Sequence, residues 1–199
     1  MSEKALKRIK VCCSFAIAFT LVFSSLFTYR EHLAETYELT FLSSFLVGIF
    51  FAVSGVLSLF DRRVPQILYL CATILLLIVF LVCITFSNQF QMSGGFVFLH
   101  VVNPLLVLAY TSFLCDLSKT SAKFVPTVAA LPLLYLVFML IFGSVTGNYI
   151  YFFMNYEKVG IWYSVLFILG ILAGIFAFGF ALYALNKLLQ KTIHKAISR

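Results

Sequence analysis

The sequence predicts an all-α, polytopic membrane protein: six transmembrane helices in a single membrane domain, with both termini in the cytoplasm. Three observations predict it. Of 199 residues, 63% are hydrophobic and only 11% are charged, where a soluble domain carries about 25% charged residues. The stretch from Val64 to Cys115 contains no charged residue at all, which suits two crossings of hydrocarbon and cannot form a water-facing surface. The basic residues, finally, are segregated along the chain in the pattern that orients membrane helices. The mean hydropathy of +1.08 agrees. A soluble enzyme, a nucleic-acid-binding module and a single-span anchored ectodomain are excluded. The net charge of +7 and the pI of 9.2 then describe topology rather than an anionic partner.

Each crossing needs about 20 mostly apolar residues, because the hydrocarbon is roughly 30 Å thick and a helix rises about 1.5 Å per residue. Six stretches qualify: Val11 to Tyr29, Leu39 to Phe60, Gln66 to Phe86, Gly95 to Cys115, Phe124 to Val145 and Gly160 to Leu185. All are continuously apolar, without the alternation that marks a membrane barrel strand. The first follows Lys4, Lys7, Arg8 and Lys10 in the manner of a signal peptide. Its bulky end, Phe27-Thr28-Tyr29, lacks a small-residue cleavage site, so it is read as a span. The second runs inward to Arg62 and Arg63, and the third returns to an outer connection from Ser87 to Gly94. The fourth runs inward to Lys119 and the fifth starts beyond Lys123. The sixth follows an outer connection from Thr146 to Val159. Twelve basic residues fall on the side of the termini and two, Arg30 and Lys158, on the other. By the positive-inside rule the side with twelve is cytoplasmic. The tail from Asn186 to Arg199 is expected to lie along the cytoplasmic headgroups as a basic amphipathic extension.

No disulfide framework, metal site or cofactor site is expected. Cys12, Cys13, Cys71, Cys83 and Cys115 all fall within helices or at their cytoplasmic ends. His32 and His194 lie far from His100 in the topology, so no two histidines share ligand spacing. Neither a phosphate loop nor a nucleotide fingerprint occurs. Gly170, Gly174 and Gly179 in the last span read as small residues that permit close helix packing.

Polar residues inside apolar spans carry the functional information, because an ionisable group in hydrocarbon must be paired or line a cavity. His100 lies five residues into the fourth span, roughly 7 to 8 Å below its outer boundary. Asn103 follows three residues later, and Pro104 removes a backbone donor beside the pair. Thr40, the second residue of the second span, enters the same leaflet. A hydroxyl beside a neutral imidazole is the minimum arrangement for acyl transfer. Candidate oxyanion donors are Asn103, Tyr149 and Tyr151. The same residues have structural readings, since a Thr at a helix start is a common N-cap and an intramembrane His often only fixes packing. The aromatic segment from Thr146 to Tyr156 is an interfacial belt by default. In a functional reading it roofs a pocket near His100 that admits an acyl chain sideways from the outer leaflet.

Three segments in order resemble the androgen-induced and androgen-dependent multispan proteins, which hydrolyse fatty acid esters of hydroxy fatty acids, and their bacterial relatives. Tyr37-Glu38-Leu39-Thr40-Phe41-Leu42 is similar to the stretch that opens the family's second span and contains its threonine nucleophile. His100-Val101-Val102-Asn103-Pro104 resembles the family's essential His followed four residues later by Pro, and Thr146-Gly147-Asn148-Tyr149-Ile150-Tyr151 resembles an element before its last span. The resemblance covers roughly Tyr37 to Leu185 at low identity. Tyr149 stands for the animal family's Trp, Phe152 for its Pro, and Val101-Val102 where a hydroxyl-bearing residue follows the His. The family implies Thr40 as nucleophile and His100 as base, a lipid-like ester substrate and a multi-pass place in the cell membrane. The short loops suggest a bacterial inner membrane. Two other classes compete. One is a six-span binding or transport protein, such as the substrate-binding subunit of a vitamin uptake system. The other is a structural membrane protein in which His100 and Asn103 only fix packing. The oligomeric state is not legible.

Overall fold

The computed structural model describes residues 3–85 and 94–197, and within the last helix it describes side chains as far as residue 192. Phe86 and, apart from Gly94, the connection expected from Ser87 to Gly94 lie outside the described residues, as do Arg199 and the side chains of His194 and Lys195. The helices are α1 Glu3–Tyr29, α2 Leu39–Leu59, α3 Gln66–Thr85, the short α4 Gly94–Val97, α5 Asn103–Leu114, α6 Ala130–Thr146, the short α7 Tyr156–Val159 and α8 Ile161–Ile197. Six continuous helical stretches are long and apolar enough to cross a bilayer, and no strand occurs among the described residues.

Three features depart from the expected spans, each for a backbone reason. The fourth crossing is not one α-helix: a π-helical turn, Phe98–Val102, joins α4 to α5. Pro104 has no N–H to offer the carbonyl four residues before it, and the wider turn instead pairs the Asn103 N–H with the Phe98 carbonyl. The fifth crossing opens with a tighter 3-10 segment, Ala122–Ala129, that contains Pro126. The last departure corrects the reading of the tail. No break separates Leu185 from Asn186, so the basic extension continues α8 instead of turning along the headgroups. The 37-residue helix is about 55 Å long, more than a bilayer's hydrocarbon needs.

Asn186 explains the continuity. Its amide nitrogen donates to the carbonyls of Thr111, Ser112 and Cys115, the last acceptors of α5, and its oxygen accepts from the Leu117 N–H at 2.9 Å. One side chain thereby satisfies a helix end that otherwise leaves its carbonyls unpaired in a buried place. At the other end of the bundle α6 stops at Gly147, whose φ of 71° is left-handed and whose N–H bonds the Gly143 carbonyl at 2.8 Å.

Packing is asymmetric. Of the most apolar 18 residues of α3, 56% are buried, whereas only 11% are in α8, so α3 is the central helix and α8 the one most exposed to lipid. A knot of rings joins α2, α3 and α5: Phe51 meets Tyr110 edge-on at 5.0 Å, and Tyr69 stacks on Tyr110 at 5.6 Å. Their hydroxyls bond Ser54 and Ser14, which brings α1 into the same cluster. Lipid tails are as apolar as Leu, so close packing and such interhelical hydrogen bonds hold the bundle together.

The largest helix-to-helix interface is α1 on α2, and Gly48 permits its close approach: a Cβ there would lie 2.8 Å from Val22 Cγ2 and 3.2 Å from the Val22 backbone nitrogen. Gly48→Leu is therefore expected to force the helices apart at a cost of about 1–3 kcal/mol, read as a lower melting temperature in detergent. Gly174→Ala, where a Cβ meets nothing within 4 Å, is expected to leave melting unchanged or raise it.

Candidate active site

The end of the bundle that gathers Tyr29, Leu39 and the segment Ile150–Met154 encloses a cavity of about 560 Å³, a volume usual for small-ligand sites. Its two ends differ in chemistry. Thr28, Tyr29, Glu38, Thr40, His100, Tyr135 and Tyr151 supply hydroxyls, a carboxyl and an imidazole, while Ile78, Val82, Leu136, Ile171 and Ile175 make an apolar floor. The lining comes from α1 to α4, the π turn, α6, the segment Ile150–Met154 and α8.

Thr40 and His100, 60 residues apart, meet here: Thr40 Oγ1 lies 3.3 Å from His100 Nε2. The other ring nitrogen decides which atom holds the proton. His100 Nδ1 is 2.9 Å from the carbonyl oxygen of Phe96, and a carbonyl only accepts, so Nδ1 carries the hydrogen. In the neutral ring Nε2 is then a bare lone pair, and the Thr40 hydroxyl is the donor toward it. The Phe96 ring stacks on the imidazole with centroids 3.9 Å apart, which fixes its plane. The contact of 3.3 Å is slightly longer than the roughly 2.6–3.2 Å of a tight catalytic hydrogen bond, as is common in sites without substrate.

Thr40 is the second residue of α2. The first helical bond runs from the Leu42 N–H to the Glu38 carbonyl at 3.0 Å, so the N–H groups of Leu39, Thr40 and Phe41 have no acceptor inside the helix. That of Leu39 donates to the Tyr135 hydroxyl at 2.8 Å. Those of Thr40 and Phe41 stand at the positive end of the helix, in the same turn as the Thr40 hydroxyl. Glu38 accepts a 2.6 Å hydrogen bond from Tyr29. Burial pushes its carboxyl above the usual range, the Tyr29 hydrogen bond draws it back, and the charge of Glu35 raises it again. Burial pushes Tyr151 up to about 12, against a hydrogen bond with Tyr135. Its hydroxyl therefore keeps its proton at neutral pH and can donate it.

The sequence-derived oxyanion candidates separate. Tyr151 lines the cavity, but Asn103 and Tyr149 are not among the lining residues. Asn103 is fully buried and donates to Ser24 at 2.9 Å and Ser44 at 3.4 Å, tying α5 to α1 and α2. The π turn explains why it leaves the face of His100, since three-residue spacing puts two side chains on one face of an α-helix but not of the wider π turn. Tyr149 lies over Gly143, where a Cβ would collide with its ring, and meets Tyr156 edge-on. Glu38, Tyr29 and Tyr135 carried no role in the sequence reading. Tyr135 offered a usable signal, a hydroxyl in the middle of an apolar span that needs a partner. No cluster of metal-ligating side chains occurs among the described residues.

No family model, curated protein or solved structure matches the chain.

Because Asn103 joins three helices, Asn103→Ala is expected to lower thermal stability in detergent by about 0.6–2 kcal/mol. Thr40 and His100, held by separate contacts, keep their pairing.

Proposed function

We propose that the chain is an intramembrane hydrolase of lipid-like esters, with Thr40 as nucleophile and His100 as general base, in keeping with the fatty acid ester hydrolases that its sequence resembles. The observation that carries this reading is the Thr40–His100 contact with the imidazole tautomer set by Phe96. In the first step Thr40 Oγ1 attacks the ester carbonyl carbon and passes its proton to Nε2. The N–H groups of the first turn of α2 and the Tyr151 hydroxyl stabilise the oxyanion. The carbon–oxygen bond to the alcohol then breaks, and Nε2 returns the proton to the departing oxygen, leaving Thr40 acylated. Water repeats the sequence: it loses a proton to Nε2, attacks the acyl carbon, and Thr40 leaves with that proton as the acid is released. The apolar floor of the cavity suits an acyl chain and gives no foothold to a polar substrate.

With the termini cytoplasmic, as the basic residues suggest, and the membrane a bacterial inner membrane, as the short loops suggest, the proposed site lies in the outer leaflet. A substrate lipid then reaches the site from the bilayer without crossing water.

Labelling of the purified protein with a fluorophosphonate probe tests the reading. Wild type is expected to label, and Thr40→Ala and His100→Ala each to lose at least about a hundredfold in rate while melting normally. Labelling is also expected to fall at acid pH, where a protonated imidazole accepts no proton. Persistence in Thr40→Ala would remove the assigned nucleophile. A wild type that stays unlabelled, with the probe shown to reach the cavity, would favour a binding or transport protein.

A further inference from the structure

Gly170 and Gly174 do not pack a helix. A Cβ at either position meets nothing within 4 Å, unlike Gly179, where it would come within 3.0 Å of Val128. Only Gly179 fits the packing role that the sequence suggested. The open space beside the other two is part of a furrow of about 430 Å³ between α3 and α8, in the half of the bundle that holds the site. Among the described residues Thr85 is the only polar residue on its walls, and its hydroxyl donates to the Leu81 carbonyl at 2.8 Å. The furrow faces the membrane: Leu166 and Phe178 on its rim are exposed.

The furrow lies beside the site. Ile78, Val82, Ile171 and Ile175 are walls of both it and the cavity of Thr40 and His100. From these shared walls we infer that the α3–α8 furrow is an acyl-chain subsite: one unbranched chain of the lipid substrate enters between these helices and lies along Gly170 and Gly174, with its ester end at Thr40. The occupant follows from shape and chemistry. A furrow of about 430 Å³ with apolar walls has room for a single file of methylenes, and a second copy's helix packed on the two glycines is the competing occupant that crosslinks between copies detect. The two glycines matter because any side chain at 170 or 174 projects into that space. The inference rests on the hydrolase reading for the position of the ester, and on the furrow alone for the position of the chain.

Two measurements keep those supports apart. The first compares labelling rates with a long-chain alkyl fluorophosphonate and with an ethyl fluorophosphonate. In Gly174→Phe and Gly170→Phe the ratio of long-chain to ethyl rate is expected to fall at least about tenfold, in protein that melts like wild type. A ratio unchanged in both variants would overturn the subsite. The second needs no catalysis: a diazirine-bearing long-chain fatty acid is photolysed with the full-length wild type in nanodiscs and the adducts are mapped. Adducts on Leu77, Leu81 or Leu166, lost in Gly174→Phe, are expected whether or not Thr40 reacts. Their absence, or crosslinks between two copies of α8 in their place, would overturn the subsite. If neither fluorophosphonate labels wild type, the hydrolase reading falls and the adducts alone judge the furrow.

Discussion

The hydrogen bond from His100 Nδ1 to the Phe96 carbonyl is the constraint on which the proposed chemistry depends. It is a bond within one helical segment, between residues four apart, and it settles a question that the Thr40 contact alone leaves open. An imidazole beside a hydroxyl can donate or accept, and only the accepting form is a base. A serine hydrolase uses a buried carboxylate to hold that tautomer. Here a backbone carbonyl does so without adding a charge to a low-dielectric place, where an extra ion is costly.

The backbone makes this arrangement possible at Pro104. Its missing N–H opens the helix at the turn where His100 sits, and the π turn settles there in answer. The same irregularity sends two neighbouring polar side chains in different directions. His100 faces the cavity, whereas Asn103 enters the contact of α1 with α2 and holds the scaffold through Ser24 and Ser44. On the facing helix, Thr40 occupies a first turn whose amides have no internal acceptors, so the Thr40 hydroxyl and donors with no partner in the helix come from one short stretch. Tyr135 takes the Leu39 amide and Tyr29 holds Glu38, which fixes the entry of α2 from both sides.

The fold was legible because membrane helices announce themselves by continuous hydrophobicity, and every expected span coincides with a helix over most of its length. What escaped the sequence was local backbone geometry. Pro104 signalled a loosened helix but not a π turn, and so the face shared by His100 and Asn103 was read from regular spacing that does not apply. Asn186 looked like the first residue of a surface tail, although its amide closes the end of α5 from 71 to 75 residues away. The meeting of Thr40 with His100 followed from depth: both lie near the starts of two spans that run in the same direction, and depth along a helix is read by counting residues. Tyr149 and Tyr151 lie in the irregular segment between α6 and Phe152, where neither depth nor helical spacing applies, and only Tyr151 is among the residues that line the cavity. The glycines of α8 show the same limit, since a small residue marks either a close helix or an open furrow and only the neighbouring helix decides.

The most direct test of the site is the protonation of the imidazole itself. Nitrogen-15 NMR of histidine-labelled protein, with His100→Asn used to identify the His100 signals, reports which ring nitrogen carries the proton. A bare Nε2 and a protonated Nδ1 at neutral pH are the predicted result. A proton on Nε2 with Nδ1 bare would contradict it, because His100 could then accept nothing from Thr40.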